Sequence, residues 1–212
     1  MNTADLIRTL ALDAKRPIAP FAVVWWTAVI AAILLAAIVF FMTLGLRQDF
    51  NEAVQTPRFL FKFVVTISLA AGAFFSARAL SRPGDDWRNA VPFMAIGPML
   101  LLIGVAVELF LLPPALWSTR MIGRNSMVCL TYIPLIGIGP LSIFLAVIRH
   151  GATTRPTLAG AAAGIFAGAI AATLYAAQCT DDSPLFVATW YTIAISGLAV
   201  IGALSANIVA RW

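Results

Sequence analysis

LAGAAAGIFAGAIAATLYAA at residues 158–177 is followed by the polar loop QCTDDSP at 178–184 and by the apolar run LFVATWYTIAISGLAVIGALSANIVA at 185–210. Each apolar run reaches the roughly 20 residues that a helix needs to cross the hydrocarbon core of a membrane. Because backbone polar groups in lipid must be satisfied within the segment, such runs form helices and not strands. This stretch therefore predicts two membrane-spanning helices joined by a short polar loop.

The rest of the chain repeats this pattern. The four other predicted spans are residues 21–44, 59–77, 91–112 and 125–148. The 212-residue chain is 61% hydrophobic and only 11% charged, whereas soluble domains carry about 25% charged residues. The sequence predicts an all-α, polytopic membrane protein in which residues 21–212 form a bundle of six transmembrane helices in a lipid bilayer.

A short amphipathic segment precedes the first span. Residues 1–20 predict one helix that ends at Pro17 and Pro20, with Leu6 and Leu10 on one face. Two interpretations remain open. The segment either lies on the membrane surface or docks a soluble partner, through the residues Asp5, Leu6, Arg8 and Leu10.

The basic residues predict the orientation in the membrane. Nine of the 14 lie at the two termini or in the loops after the second and fourth spans, and five lie on the other side. Loops rich in Lys and Arg stay in the cytoplasm, so both termini are expected there and the 178–184 loop outside. The net charge of +5 then reflects topology, and no direct contact with nucleic acid is expected.

The chain has two cysteines, and both are predicted at its outer side. Cys179 lies in the 178–184 loop, and Cys129 lies near the outer end of the fourth span. The pair could form a structural disulfide, act as a reactive or metal-responsive dithiol with Asp181 and Asp182 as further ligands, or be unrelated. A permanent zinc site is not expected, because it needs four ligands. Transient binding of a soft metal by Cys129 and Cys179 stays open, with no resident cofactor.

Two charged residues lie inside predicted spans. Lys62 begins the second span and Glu108 ends the third, at a similar shallow depth. They could pair with each other, although snorkelling of each side chain to the interface is the simpler expectation. Because no polar path continues across the bilayer, the sequence does not favour a transporter.

Small residues recur in the fifth span. Gly160, Gly164 and Gly168 form a stripe that lets another helix backbone approach closely. The partner helix is expected in the same chain, with a second copy as the alternative.

No known catalytic or nucleotide-binding motif occurs in the sequence. A protein without enzymatic activity or a small-molecule substrate is therefore expected. The alternatives are a membrane thiol oxidoreductase, which would usually need a second cysteine pair, and a small-solute transporter.

Several motifs together resemble the NrsF-type six-span membrane anti-sigma factors, which are negative regulators of extracytoplasmic-function (ECF) sigma factors. The motifs are Asp5-Leu6-Ile7-Arg8-x-Leu10-Ala11, Pro57-Arg58-Phe59-Leu60, Leu112-Pro113-Pro114-x-x-Trp117, Cys129 with Pro134, Thr154-Arg155-Pro156 and Cys179-x-Asp181-Asp182-Ser183-Pro184-Leu185-Phe186.

The resemblance implies a multi-pass protein of the bacterial inner membrane that holds an ECF sigma factor inactive at its cytoplasmic face. It further implies that heavy metals or oxidants act through Cys129 and Cys179 and release the sigma factor. Asp181 and Asp182 would belong to the same sensing site.

Overall fold

The computed structural model describes Thr3, Asp5 and residues 20–82, 84–151 and 153–209. Most of the predicted N-terminal helix, including Leu6, Arg8 and Leu10, lies outside the described residues. The remainder contains six helices that are long and apolar enough to cross a membrane. The predicted six-helix, all-α membrane fold is confirmed.

We label the six long helices α1 to α6 in chain order. They are α1 Phe21–Thr43, α2 Pro57–Leu80, α3 Val91–Leu111, α4 Ser126–His150, α5 Pro156–Ala176 and α6 Pro184–Val209. Short helices at Phe50–Ala53 and Trp117–Ile122 and 3-10 turns at Trp87–Ala90 and Pro114–Leu116 lie in the connections.

Proline marks the start of three of these helices. Pro57, Pro156 and Pro184 each occupy the first helical position, where the missing N–H has no intrahelical acceptor to lose and φ already suits a helix. For this reason α2 begins two residues before the predicted span. Near its start, α6 also contains a π-helical segment, Val187–Tyr191.

Helix α5 is the centre of the bundle, and α3 is its periphery. α5 packs against α6, α2, α4 and α1, and 67% of its most apolar window is buried, compared with 11% for the span that contains α3. α3 packs mainly on α2. A helix composed largely of Ala and Gly can accept several neighbours because their backbones approach it closely.

The glycine stripe of α5 lies against α6 of the same chain. A Cβ atom at Gly160 would collide with the carbonyl oxygen of Gly202, and one at Gly164 with that of Leu198. At Gly168 the nearest atoms belong to Ile195, at 3.2–3.3 Å. The stripe therefore brings two backbones together inside one molecule.

We predict that Gly164→Ala destabilises the protein by about 1–3 kcal/mol, the usual cost of forcing an extra methyl group into a packed interface. Thermal unfolding in detergent measures the effect. Gly197→Ala is the matched control, because a Cβ atom there meets nothing within 4 Å and both substitutions raise helix propensity equally. Equal melting temperatures for the two variants would contradict the close α5–α6 contact.

Candidate functional site

Both cysteines are buried at the end of the bundle where α5 meets α6. Cys129 is the fourth residue of α4 and Cys179 the third residue after α5. Each has an exposed fraction of 0%, and neither is in a disulfide. Burial raises the pKa of the Cys179 thiol, although the positive charge of Lys62 partly opposes this. Both cysteines are therefore thiols packed inside the protein core.

Two tyrosines line the surroundings of the thiols. Tyr175 of α5 and Tyr191 of α6 have ring centroids 5.7 Å apart, and both rings are buried. The Tyr175 hydroxyl donates to the carbonyl oxygen of Asn125 over 3.5 Å. The Tyr191 hydroxyl is buried and has no hydrogen-bond partner among the described residues. The site thus combines two thiols with one unsatisfied buried hydroxyl.

A buried lysine holds the 178–184 loop. The Lys62 side chain of α2 is 1% exposed, and its Nζ lies 2.6 Å from Asp182 Oδ1 and 2.9 Å from the carbonyl oxygen of Cys179. A charge buried in this way must be paired and hydrogen-bonded. Lys62 therefore fixes the backbone of Cys179 itself.

Arg47 supports the same loop from the α1–α2 connection. Its guanidinium binds Asp49 through two bonds of 2.6 Å and reaches Asp182 Oδ2 at 3.2 Å and the Cys179 carbonyl at 3.4 Å. The hydrogen bonds with Asp49 raise the pKa of Arg47, and Arg47 lowers the pKa of Asp49. Asp182 is consequently shared by two cations.

Glu108 of α3 holds the other end of the loop. Its Oε2 atom accepts from the Ser183 hydroxyl over 2.7 Å and from the Leu185 amide over 3.0 Å. The carboxylate therefore caps the N-terminus of α6, where a negative charge is favourable. The expectation that Lys62 and Glu108 pair or snorkel was wrong, because the 178–184 loop lies between them and offers each residue its own partners.

Asp181 fastens the loop to the start of α4. Its Oδ2 atom accepts from the amides of Arg124 and Asn125, at 3.0 and 2.8 Å, and from Asn125 Nδ2 at 2.9 Å. The preceding Gly123 has a φ of +58°, a value that residues other than glycine rarely adopt. Gly123 thus makes the turn that points both amides at Asp181.

One of the three interpretations makes Asp181 and Asp182 further metal ligands, and in the structure both carboxylates already have other partners. Asp181 is committed to the start of α4, and Asp182 to Lys62 and Arg47. Within the described part of the chain, no three His, Cys, Asp or Glu side chains come together as metal ligands. The two carboxylates instead position the loop that carries Cys179.

Sequence reasoning assigned no role in this site to four residues. They are Arg47, Asn125, Tyr175 and Tyr191. Arg47 counted only as a topology signal, and the two tyrosines lie in apolar runs where aromatic residues are usually packing residues. The opposite charge of Asp49, two residues after Arg47, could have indicated that the Arg47 side chain is held in an ion pair.

Together these contacts make the 178–184 loop a meeting point for the elements at the cysteine end of the bundle. We call Arg47, Lys62, Glu108 and Asn125 the clamp; they come from the α1–α2 connection, α2, α3 and the start of α4. Each clamp residue holds the loop between α5 and α6 by a polar contact. Any displacement of Cys179 must therefore disturb contacts with several helices at once.

Comparisons with known proteins agree on one family. Residues 10–212 match the family described as "NrsF: Negative regulator of sigma F". The chain is 33% identical to the "Probable anti-sigma-F factor NrsF" of Azospira oryzae and 30% identical to the "Anti-sigma-F factor NrsF" of Caulobacter vibrioides, with 100% of each chain covered in both pairs. No solved structure matches the chain.

We predict that Lys62→Met destabilises the protein by about 3 kcal/mol, the lower end of the range for breaking a buried ion pair, because Asp182 keeps Arg47 as a partner. Chemical or thermal unfolding in detergent measures the loss. Arg58→Met removes an exposed cation near the start of the same helix and should change stability by no more than about 0.5 kcal/mol. Similar losses in both variants would contradict the clamp.

Proposed function

The chain belongs to the NrsF family of negative regulators of sigma F, and on this premise we propose that it is a membrane-bound anti-sigma factor that sequesters an ECF sigma factor. The complex forms at the cytoplasmic face of the bacterial inner membrane, where both termini lie. The protein acts by binding and release, without catalysis. The sigma factor, and not nucleic acid or a small-molecule substrate, is its soluble partner.

The two ends of the bundle differ in a way that supports this arrangement. The end rich in basic residues carries Arg82 over the ring of Phe21, at 4.7 Å, and Arg155 over the ring of Trp87, at 5.5 Å. The opposite end carries the cysteines and the clamp. By the positive-inside rule we expect the basic end in the cytoplasm, and the end with the buried cysteines at the periplasmic side.

The proposed signal is a modification of Cys129 or Cys179 by a heavy metal or an oxidant. One observation carries this proposal. The buried Cys179 lies in the same loop as Asp182, and Lys62 of α2 holds that loop by contacts with both residues. A fully buried thiol has no free space around it, because protein interiors are close-packed. A metal or a new covalent bond at Cys179 therefore displaces the loop and separates Lys62 from Asp182.

Helices α2 and α5 carry the displacement to the cytoplasmic end. α2 carries Lys62 near one end and Arg78 and Leu80 at the other, and it packs along α5. At the far end, the Thr153 hydroxyl donates to the Leu80 carbonyl oxygen over 2.9 Å, so α2 is tied to the α4–α5 connection. A coupling of about 1–3 kcal/mol between two sites is typical of such switches and suffices to release a bound partner.

We expect the double variant Cys129→Ser, Cys179→Ser to keep the sigma factor bound in the presence of cadmium or an oxidant that releases it from the unaltered protein. Co-purification of the sigma factor from membranes, with and without inducer, measures retention. Ser126→Ala is a control at the same end of α4 that leaves both thiols in place. Normal release from the double variant would exclude the cysteines as the sensor.

We also expect Leu6→Asp with Leu10→Asp to release the sigma factor without any inducer, because the apolar face of the N-terminal helix is the proposed docking surface. Expression of a sigma-dependent reporter and co-purification measure the effect. Ala4→Asp is the control, because it adds charge on the opposite side of a helix with about 3.6 residues per turn. If the Leu6, Leu10 double variant still retained the sigma factor fully, the N-terminal helix would be excluded as the docking surface.

A further inference from the structure

A pocket of about 330 Å³ opens at the end of the bundle opposite the cysteines, between the end of α2 and the start of α3. Its volume is at the lower end of the range for small-molecule sites. The polar residues that line it are Arg78, Arg82, Asp85, Asp86 and Asn89, and its aromatic wall consists of Phe75 and Phe93. A ligand of this pocket must therefore match charges of both signs and an apolar surface.

The pocket lies where the apolar helices give way to a polar connection. α2 ends at Leu80 and α3 begins at Val91, and both helices belong to candidate membrane spans. The rings of the aromatic wall are about half exposed, and their centroids lie 5.7 Å apart. Trp87 begins the 3-10 turn between the helices, and tryptophan is enriched where a membrane meets water. The pocket therefore borders lipid on one side and water on the other.

The two cations of the pocket have unused donors. Arg78 and Arg82 are four residues apart, and the backbone stays helical at Ser81, so both side chains leave the same face. The Arg82 guanidinium lies over the Phe21 ring, at 4.7 Å, which holds it in place without a hydrogen bond. Neither guanidinium has a hydrogen bond or an ion pair with another described residue. Because guanidinium groups bind phosphate through paired N–H donors, together they suit a phosphate group.

The two carboxylates stand on the chain that follows. Gly84 has a φ of +98°, a value that favours glycine, and it turns the chain between Arg82 and Asp85. Asp86 Oδ1 accepts from the Arg88 amide over 3.1 Å, whereas the Asp85 carboxylate has no hydrogen bond or ion pair to any residue that the structure describes. Within the described ranges, opposite charges thus line one pocket without pairing. This arrangement leaves room between them for a group that carries both charges.

We propose that this pocket binds the headgroup of a zwitterionic phospholipid with a primary ammonium group, the phosphatidylethanolamine class. The phosphate lies between Arg78 and Arg82, and the ammonium group donates to Asp85 and Asp86. An anionic headgroup without an amine would be attracted by the arginines but repelled by the aspartates. The quaternary ammonium of phosphatidylcholine has no N–H to donate. The acyl chains continue along the aromatic wall into the bilayer.

The bound lipid would support the least enclosed helix of the bundle. α3 packs mainly on α2, and the headgroup contacts the end of α2 and the connection that leads into α3. A ligand that binds only the folded protein raises its stability. The inference goes beyond the proposed function, because it needs neither the sigma factor nor the cysteines.

The first test uses the unaltered full chain in detergent. Thermal unfolding is followed while phosphatidylethanolamine, phosphatidylcholine or the anionic phosphatidylglycerol is added, all with the same acyl chains, and the rise in melting temperature gives each apparent affinity. We expect phosphatidylethanolamine to bind about fivefold more tightly than either of the others. Equal affinities would overturn the site as a specific one. Tighter binding of phosphatidylglycerol would overturn the assignment to a zwitterion.

Two variants separate the two halves of the headgroup. Arg78→Gln should weaken the binding of all three lipids by about fivefold, because each carries a phosphate. Asp85→Asn should weaken phosphatidylethanolamine alone. It should strengthen phosphatidylglycerol, because it removes a negative charge from the pocket. A loss shared by all three lipids in Asp85→Asn would overturn the ammonium contact.

The matched control is Arg88→Gln. Arg88 is an exposed cation of the same connection, and it does not line the pocket. Its replacement should leave the three affinities unchanged. Equal losses in Arg78→Gln and Arg88→Gln would overturn the pocket as the binding site, since a general loss of positive charge would then explain both. The comparison of the three lipids on the unaltered chain needs no variant and stands whether or not the variants fold.

Discussion

The buried ammonium group of Lys62 is the constraint on which the cysteine end of this molecule depends. A lysine at the start of a transmembrane helix can usually extend to the interface, but this one is enclosed and needs acceptors where it lies. It takes the carboxylate of Asp182 and the carbonyl oxygen of Cys179. Both belong to the 178–184 loop, so the charge of α2 fixes the path of the chain between α5 and α6.

The remaining clamp contacts follow the same physical logic. Arg47 supplies a second cation to Asp182, Glu108 caps α6, and Asp181 accepts the first amides of α4. Each of these groups would be costly to bury alone. Most of their polar atoms pair with one another, whereas Glu108 Oε1 has no partner among the described residues. The result is a polar layer that covers the end of the bundle where both thiols are buried. In the proposed function, a small displacement of Cys179 disturbs this layer and so affects several helices at once.

The middle of the bundle has the opposite chemistry, and in the proposed function it transmits the signal. α5 is built from small residues, and its glycine stripe brings its backbone against α6. Close-packed helices move as units more readily than they deform. A displacement at the loop can therefore reach the basic end along α5 and α2.

The sequence alone determined the six spans and the family, because hydrophobic length and local motifs are properties of single segments. It also identified Cys129, Cys179 and the 178–184 loop as unusual. Only the tertiary structure decided that Lys62 belongs to Asp182, Glu108 to Ser183 and Leu185, and Asp181 to Asn125. Those pairings depend on how far each helix is rotated about its axis and on the route of a loop from a distant part of the chain. Neither is encoded in the spacing of residues along one helix, so a shared depth in the membrane could not reveal that Lys62 and Glu108 have different partners.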